Sequence, residues 1–130
     1  MTHKLLNVLC VDDDPDVILV AQLCMESEGG FSVTAANSGK EALKIVENTK
    51  PSAILLDVMM PVMDGFSTLK ALRQNHSLDD VPVIFMTARA ISHEMDEYLA
   101  LGANGALSKP FDPMTLSAQV MELWEKFHAK

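Results

Sequence analysis

Short unbroken apolar runs alternate along this chain with longer stretches whose apolar positions recur at helical spacing. Residues 5–11 form the first run, and Val8 and Val11 favour a buried strand over residues 7–11. Asp14 then stands before Pro15, an N-cap followed by proline at the first helical position. Val17, Val20, Ala21, Leu23 and Cys24 predict the apolar face of the helix that follows, and Gly29-Gly30 predict its stop. A second strand is expected over Phe31–Ala36. Ser38 with Glu41 three residues on reads as a capping box, for a helix that buries Ala42, Leu43, Ile45 and Val46. After Pro51, residues 53–56 are apolar without alternation, as in a strand covered on both faces. Asp64-Gly65 precede a helix carrying Phe66, Leu69 and Leu72. Residues 81–86 predict a fourth strand, 92–101 a helix closed by Gly102, and 104–108 a short fifth strand. Asp112-Pro113 repeats the cap-and-proline signal before a last helix lined by Leu116, Val120, Leu123, Trp124 and Phe127.

Five such units need helical crossovers between parallel strands. The expected fold is α/β, a single doubly wound (βα)5 domain over residues 1–130 with helices on both faces of a parallel five-stranded sheet. No linker, repeat or low-complexity stretch interrupts it. A length of 130 residues, 48% of them apolar and 22% charged, suits one domain with a real core and argues against disorder. The formal charge of −8 repels phosphate backbones and anionic lipid, so neither nucleic acid nor membrane is an expected partner of this domain. No apolar run approaches a membrane span. The first run is too short for a signal peptide, is interrupted by Asn7, and ends in three aspartates. Cys10 and Cys24 lie in apolar segments without metal-ligand spacing, which reads as reduced, buried thiols in a cytoplasmic protein. His3, His76, His93 and His128 are scattered, and none pairs with another at zinc-ligand spacing.

In doubly wound sheets the functional residues sit beyond the carboxyl ends of the strands. Strand one ends here in Asp12-Asp13-Asp14, strand three in Asp57, strand four in Thr87 and strand five in Lys109-Pro110. Clustered carboxylates raise one another's pKa unless a cation neutralises them. A hard divalent ion such as Mg²⁺ is the natural remedy where carboxylates are few and a phosphate completes the shell. Lys109 adds a compact positive charge and Thr87 a hydroxyl, and a carboxylate held between metal and lysine is a plausible phosphoryl acceptor. Taken singly, the residues have blander readings. Asp14 and Asp16 read as capping and dipole-compensating groups, Asp64 as a cap, and the nine methionines as flexible core filler. The conjunction of an acidic pair, a lone Asp, a Thr and a Lys at four strand ends is far more specific than any member.

These residues resemble the receiver domains of two-component response regulators, over the full chain. The resemblance is carried by the apolar run ending Val11-Asp12-Asp13-Asp14-Pro15, by Ile54-Leu55-Leu56-Asp57-Val58-Met59-Met60-Pro61 with Met63-Asp64-Gly65, by Phe85-Met86-Thr87-Ala88, and by Ser108-Lys109-Pro110-Phe111. It implies the flavodoxin-like strand order 2-1-3-4-5. It implies that Asp57 is the phosphoacceptor, forming an aspartylphosphate at the expense of a phosphohistidine on a sensor histidine kinase or histidine phosphotransfer protein. Mg²⁺, with Mn²⁺ as a substitute, would be held by the side chains of Asp13 and Asp57 and the carbonyl of Met59, with Asp12 acting through a metal-bound water or as a lesser ligand. Thr87 and Lys109 would engage the phosphoryl oxygens, and the Lys109-Pro110 bond would be cis. The resemblance further implies a cytoplasmic phosphorylation-dependent switch that assists its own phosphotransfer and dephosphorylation, rather than an enzyme, and that acts on a downstream protein target.

One position departs from the family pattern. Three residues before the lysine the family usually carries Tyr or Phe, which rotates inward on activation, whereas this chain has Ala106. The expectation is therefore that Thr87, residues 88–92 and helix four carry the change, with His93, Glu94 and Tyr98 facing a partner. Three rival readings share parts of the pattern. A flavodoxin-like electron carrier needs a loop of small hydroxyl residues and glycine after strand one, and here that loop is acidic. A haloacid-dehalogenase-type phosphatase would use Asp12 and Asp14, but Asp16 stands where that motif wants Thr or Val, and there is no room for a cap domain. A receiver-like module that takes no phosphate usually loses one or more of the five key residues. Residue 130 follows directly on the last helix, as expected of a stand-alone regulator or of a receiver cut from a longer protein.

Overall fold

The unbroken apolar runs become strands because helices cover them on both sides. A computed structural model describes residues 6–28, 30–60, 62–87, 92–109, 111–112 and 114–129. The elements are β1 (Leu6–Val11), α1 (Pro15–Glu28), β2 (Phe31–Ala36), α2 (Gly39–Asn48), β3 (Ala53–Asp57), α3 (Gly65–Arg73), a 3₁₀ turn (His76–Leu78), β4 (Val83–Thr87), α4 (Ser92–Ala100), β5 (Gly105–Ser108) and α5 (Leu116–His128). The strands pair in parallel in the order β2-β1-β3-β4-β5, as expected. Among the described residues no helix is long and apolar enough to cross a membrane.

Successive strand side chains point to opposite faces, so the sheet separates two cores. Leu9, Val11, Ile54, Leu56, Val83 and Phe85 face α2, α3 and α4, packing with Ala42, Val46, Leu69, Leu72 and Tyr98. Val8, Cys10, Leu55, Ile84, Met86 and Leu107 face α1 and α5, packing with Ile18, Ala21, Met25, Leu116 and Val120. Arg73, at the end of α3, ties the lower ends of β4 and β5 together. Its Nε donates to the Gly102 carbonyl at 3.2 Å, Nη1 to the Leu78 carbonyl at 2.9 Å, and Nη2 to Asn104 Oδ1 at 2.8 Å. Asn104 Oδ1 also accepts from the Val83 N–H at 2.9 Å.

Several local expectations need correction. Val20 and Leu23, placed by spacing on the buried face of α1, are exposed, and Ile18 and Met25 are buried instead. The capping box at α2 is offset. Ser38 Oγ accepts from the Glu41 N–H at 3.1 Å, but Glu41 Oε1 reaches back to the Asn37 N–H at 2.6 Å and not to Ser38. β4 begins two residues later than the apolar run, at Val83. α4 ends at Ala100, and Gly102 closes it with a positive φ of 109°. Asp112 Oδ1 accepts from the Met114 N–H at 2.9 Å in a cap-like turn, yet the α-helix begins only at Leu116. Gly29 and Pro113 lie outside the described residues.

Candidate phosphoacceptor and metal site

The three aspartates after β1 do three different things. The Asp12 N–H still donates to the Ala36 carbonyl of β2 at 3.1 Å, so the ladder holds this residue as it would a strand residue. Its carboxylate is fully buried, with Oδ1 accepting from the Asp14 N–H at 2.9 Å. Asp13 is exposed. Asp14 Oδ1 accepts from the Asp16 N–H at 2.9 Å and caps α1, as its bland reading held. A phosphatase-type pairing of Asp12 with Asp14 is thereby disfavoured, since Asp14 is spent on the helix.

Asp57 closes β3, and its register partner across the ladder is Met86. By strand alternation Asp57 shares the face of Leu55, towards α1 and α5. Thr87 shares the face of Val83 and Phe85, towards α4. Lys109, beyond β5, reaches both carboxylates. Its Nζ lies 3.0 Å from Asp12 Oδ2 and 3.1 Å from Asp57 Oδ1. The Lys109 N–H donates to the Thr87 carbonyl at 2.8 Å, so the ladder sets where the lysine starts. The Met59 N–H donates to Asp57 Oδ1 at 3.3 Å, while the Met59 side chain is 80% exposed, so only its main chain turns to the site. The following turn is tight. Gly65 N–H donates to the Val58 carbonyl at 2.9 Å, and a Cβ on Gly65 would strike the Asp57 carbonyl and come within 2.7 Å of Val58 Cα. Only glycine lets α3 begin so close to Asp57.

Burial raises the pKa of Asp57, the charge of Asp12 raises it further, and the hydrogen bonds from Lys109 and Met59 do not fully offset them. Burial alone would lower the pKa of Lys109, but the two carboxylates it bonds outweigh that and hold it protonated. Cys10, beneath the site, has its thiol pushed up to about 12 by burial and then by Asp12, so it is an inert core thiol. Asp12, Asp13 and Asp57 each offer a carboxylate oxygen, and these atoms lie within 4.8 Å of one another. Three carboxylates against one ammonium leave the cluster short of positive charge. An all-oxygen donor set with one exposed member fits a hard divalent cation that keeps some of its waters.

The structure thus brings together Asp12, Asp13, Asp57, Met59 and Lys109, with Thr87 buried at the neighbouring strand end. Pro110, and with it the Lys109-Pro110 bond, lies outside the described residues, as do residues 88–91 and the side chains of His93 and Glu94. Tyr98 corrects the expectation that it faces a partner. It is only 5% exposed and belongs to the core beneath α4. The close approach of Gly65 to Asp57 has no sequence signature beyond the cap signal of the Asp64-Gly65 pair.

The family model of the response regulator receiver domain matches residues 8–121. Response regulator Rre1 of Synechocystis sp. is 36% identical over 118 residues, covering 91% of this chain and 51% of that protein. The alkaline phosphatase synthesis transcriptional regulatory protein PhoP of Bacillus subtilis is 38% identical over 116 residues, covering 88% of this chain and 46% of that protein. The chain therefore spans about half the length of these curated relatives. Among solved structures, the chemotaxis response regulator CheY4 of Vibrio cholerae superposes with a TM-score of 0.86 at 32% identity, covering 92% of this chain and 99% of that one.

Proposed function

The chain belongs to the response regulator receiver domains of two-component signalling, and from that membership we propose that Asp57 is its phosphoacceptor. The donor is a phosphohistidine on a sensor histidine kinase or phosphotransfer protein. The N–P bond of the phosphohistidine breaks, an O–P bond to an Asp57 carboxylate oxygen forms, and the imidazole leaves and takes up a proton. The observation that carries the reading is the buried Asp57 carboxylate sharing one ammonium with Asp12, at 3.1 and 3.0 Å. Lys109 and the Met59 N–H hold the carboxylate oriented, and Lys109 is positioned to turn from Asp57 to the arriving phosphoryl oxygens. Thr87 supplies a hydroxyl from the other face of the sheet.

Asp13 and Asp57, the Met59 carbonyl and Asp12, directly or through water, would hold Mg²⁺ or Mn²⁺. The ion supplies charge neutralisation to the phosphoryl group. The protein's own part is positioning and electrostatics, which is most of what phosphoryl transfer requires. The domain acts as a switch, in the cytoplasm, for a downstream protein rather than for nucleic acid. The test is intact mass after incubation with acetyl phosphate and Mg²⁺. The wild type gains one phosphoryl group and Asp57→Asn gains none; uptake by Asp57→Asn at the wild-type rate overturns the assignment.

A further inference from the structure

We propose that Tyr98, carried on α4, is the aromatic through which the state of the phosphoacceptor site reaches the outer surface. The inference rests on the assignment of Asp57 above. Phe85 on β4 pairs in register with Ala106 on β5, and Thr87 pairs with Ser108. Phe85 and Thr87 are two apart on one strand and face the same side, towards α4. Ala106 offers Phe85 only a methyl group from the neighbouring strand. The ring that covers Phe85 comes from the helix instead. Tyr98 lies with its ring centroid 5.1 Å from that of Phe85 at an interplanar angle of 77°. Phe66 of α3 completes the group, 5.4 Å from Phe85 and 6.1 Å from Tyr98. The two contacts of Phe85 are edge-to-face, a geometry that attracts specifically, while Phe66 and Tyr98 meet at a tilt of 38°.

This cluster is joined to the site from two sides. Phe66 is the residue after Gly65, whose backbone lies against the Asp57 carbonyl. Phe85 precedes Thr87 by two on a fully buried strand. A change in the position of either strand end reaches the buried rings of Phe85 and Tyr98 through close-packed neighbours, with Phe66, 37% exposed, at the rim of the cluster. Tyr98 then passes it outwards. Its carbonyl accepts from the Leu101 N–H at 3.2 Å and the Ala103 N–H at 3.0 Å, so it belongs to the turn that ends α4. Asp96, Glu97, Leu99 and Leu101, around it, are exposed. An aromatic on a strand can rotate while its backbone stays still. An aromatic wedged under a helix transmits by moving the helix.

Tyr98 is the chain's single tyrosine, which gives a direct readout. The full chain is labelled with 3-fluorotyrosine and its one ¹⁹F resonance followed as Mg²⁺ and beryllofluoride, a phosphoryl mimic, are added. The resonance is expected to move by more than its linewidth in the wild type and to stay in place in Asp57→Asn. An unmoved resonance in a protein that gains phosphoryl mass from acetyl phosphate overturns the inference and leaves the assignment of Asp57 standing. Failure to gain that mass overturns both. Backbone amide shifts supply a second measurement. Tyr98→Phe keeps the ring and should keep the beryllofluoride response of residues 96–101, whereas Tyr98→Leu should reduce it at least five-fold while still taking up phosphate. Equal responses in the two variants overturn the inference.

Discussion

Asp57→Asn should make the metal-free protein more stable at neutral pH, although it removes half of an ion pair. Three effects act on the ionised carboxylate. At an effective dielectric of about 20, Lys109 Nζ at 3.1 Å attracts it by roughly 5 kcal/mol. Asp12, with a carboxylate oxygen within 4.8 Å, repels it by roughly 3 kcal/mol on the same scale. Removing it from water costs several kcal/mol more. The two unfavourable effects together exceed the favourable one, in line with the raised pKa. Asparagine keeps an acceptor for Lys109 and the Met59 N–H without the charge. The expected gain is about 1–2 kcal/mol, or roughly 3–8 °C in melting temperature for a domain of this size. The pH dependence has a definite sign. A raised folded-state pKa means that the wild type carries no penalty below the ordinary value of 3.8 and loses stability as pH climbs through the raised one. The gap between variant and wild type therefore opens over that window and is flat above it. Thermal melts in EDTA across this range provide the assay. A variant that melts below the wild type at neutral pH would refute the reasoning, because the Lys109 pair would then outweigh burial and repulsion.

The same charge balance predicts that Mg²⁺ stabilises the wild type by on the order of 1–3 kcal/mol at ten to a hundred times its dissociation constant, read as a rise in melting temperature; Asp13→Ala should lose most of that rise, and an undiminished rise would place the ion elsewhere. Lys109→Arg replaces a compact charge by a planar fork between two carboxylates, so phosphoryl uptake should survive while phosphorylation-dependent partner binding weakens roughly five-fold or more, measured by titration of the phosphorylated protein. Arg73→Met leaves the Leu78 and Gly102 carbonyls and Asn104 Oδ1 short of a charged donor and should cost about 3 kcal/mol by chemical denaturation, with phosphoryl uptake at saturating acetyl phosphate unchanged. Gly65→Ala drives a methyl group into the backbone of Asp57 and Val58; it should lower stability by about 2 kcal/mol and slow phosphoryl uptake by on the order of ten-fold, and a wild-type rate would show that the turn is free to yield.

The strands were legible because short unbroken apolar runs have few other uses in a chain of this size, and the strand-end rule then gathered Asp12, Asp13, Asp57 and Lys109 without further help. The buried face of α1 was not legible. Residues 17–21 and 23–25 are all apolar, so periodicity cannot choose among them, and only packing against β1, β2 and α5 selects Ile18, Ala21 and Met25. The 3₁₀ turn at His76–Leu78 depends on Asn75 Oδ1 accepting from the Ser77 N–H and on Leu78 finding a pocket in the core, neither of which has a periodic signature. Arg73 looked like an ordinary basic residue at a helix end, because two of its three partners lie 29 and 31 residues away. Tyr98 was misplaced for a related reason. A short helix flanked by acidic residues reads as exposed, and the rings that Tyr98 packs against, Phe85 and Phe66, are distant in sequence and give the helix no periodic signature.

The sheet's two cores have a consequence for how the domain can be redesigned. The α1 and α5 layer, built on Ile18, Met25, Leu116 and Val120, contains none of the three rings and none of the packing beneath α4. Tighter side chains there should raise the melting temperature while leaving the packing of the three rings unchanged. On the proposed route through Tyr98 the opposite layer offers no such freedom, because a substitution that rigidifies Phe66, Phe85 or Tyr98 would alter the motion to be read out. A thermostable biosensor scaffold would accordingly take all of its reinforcement on one side of the sheet and leave the other as nature packed it.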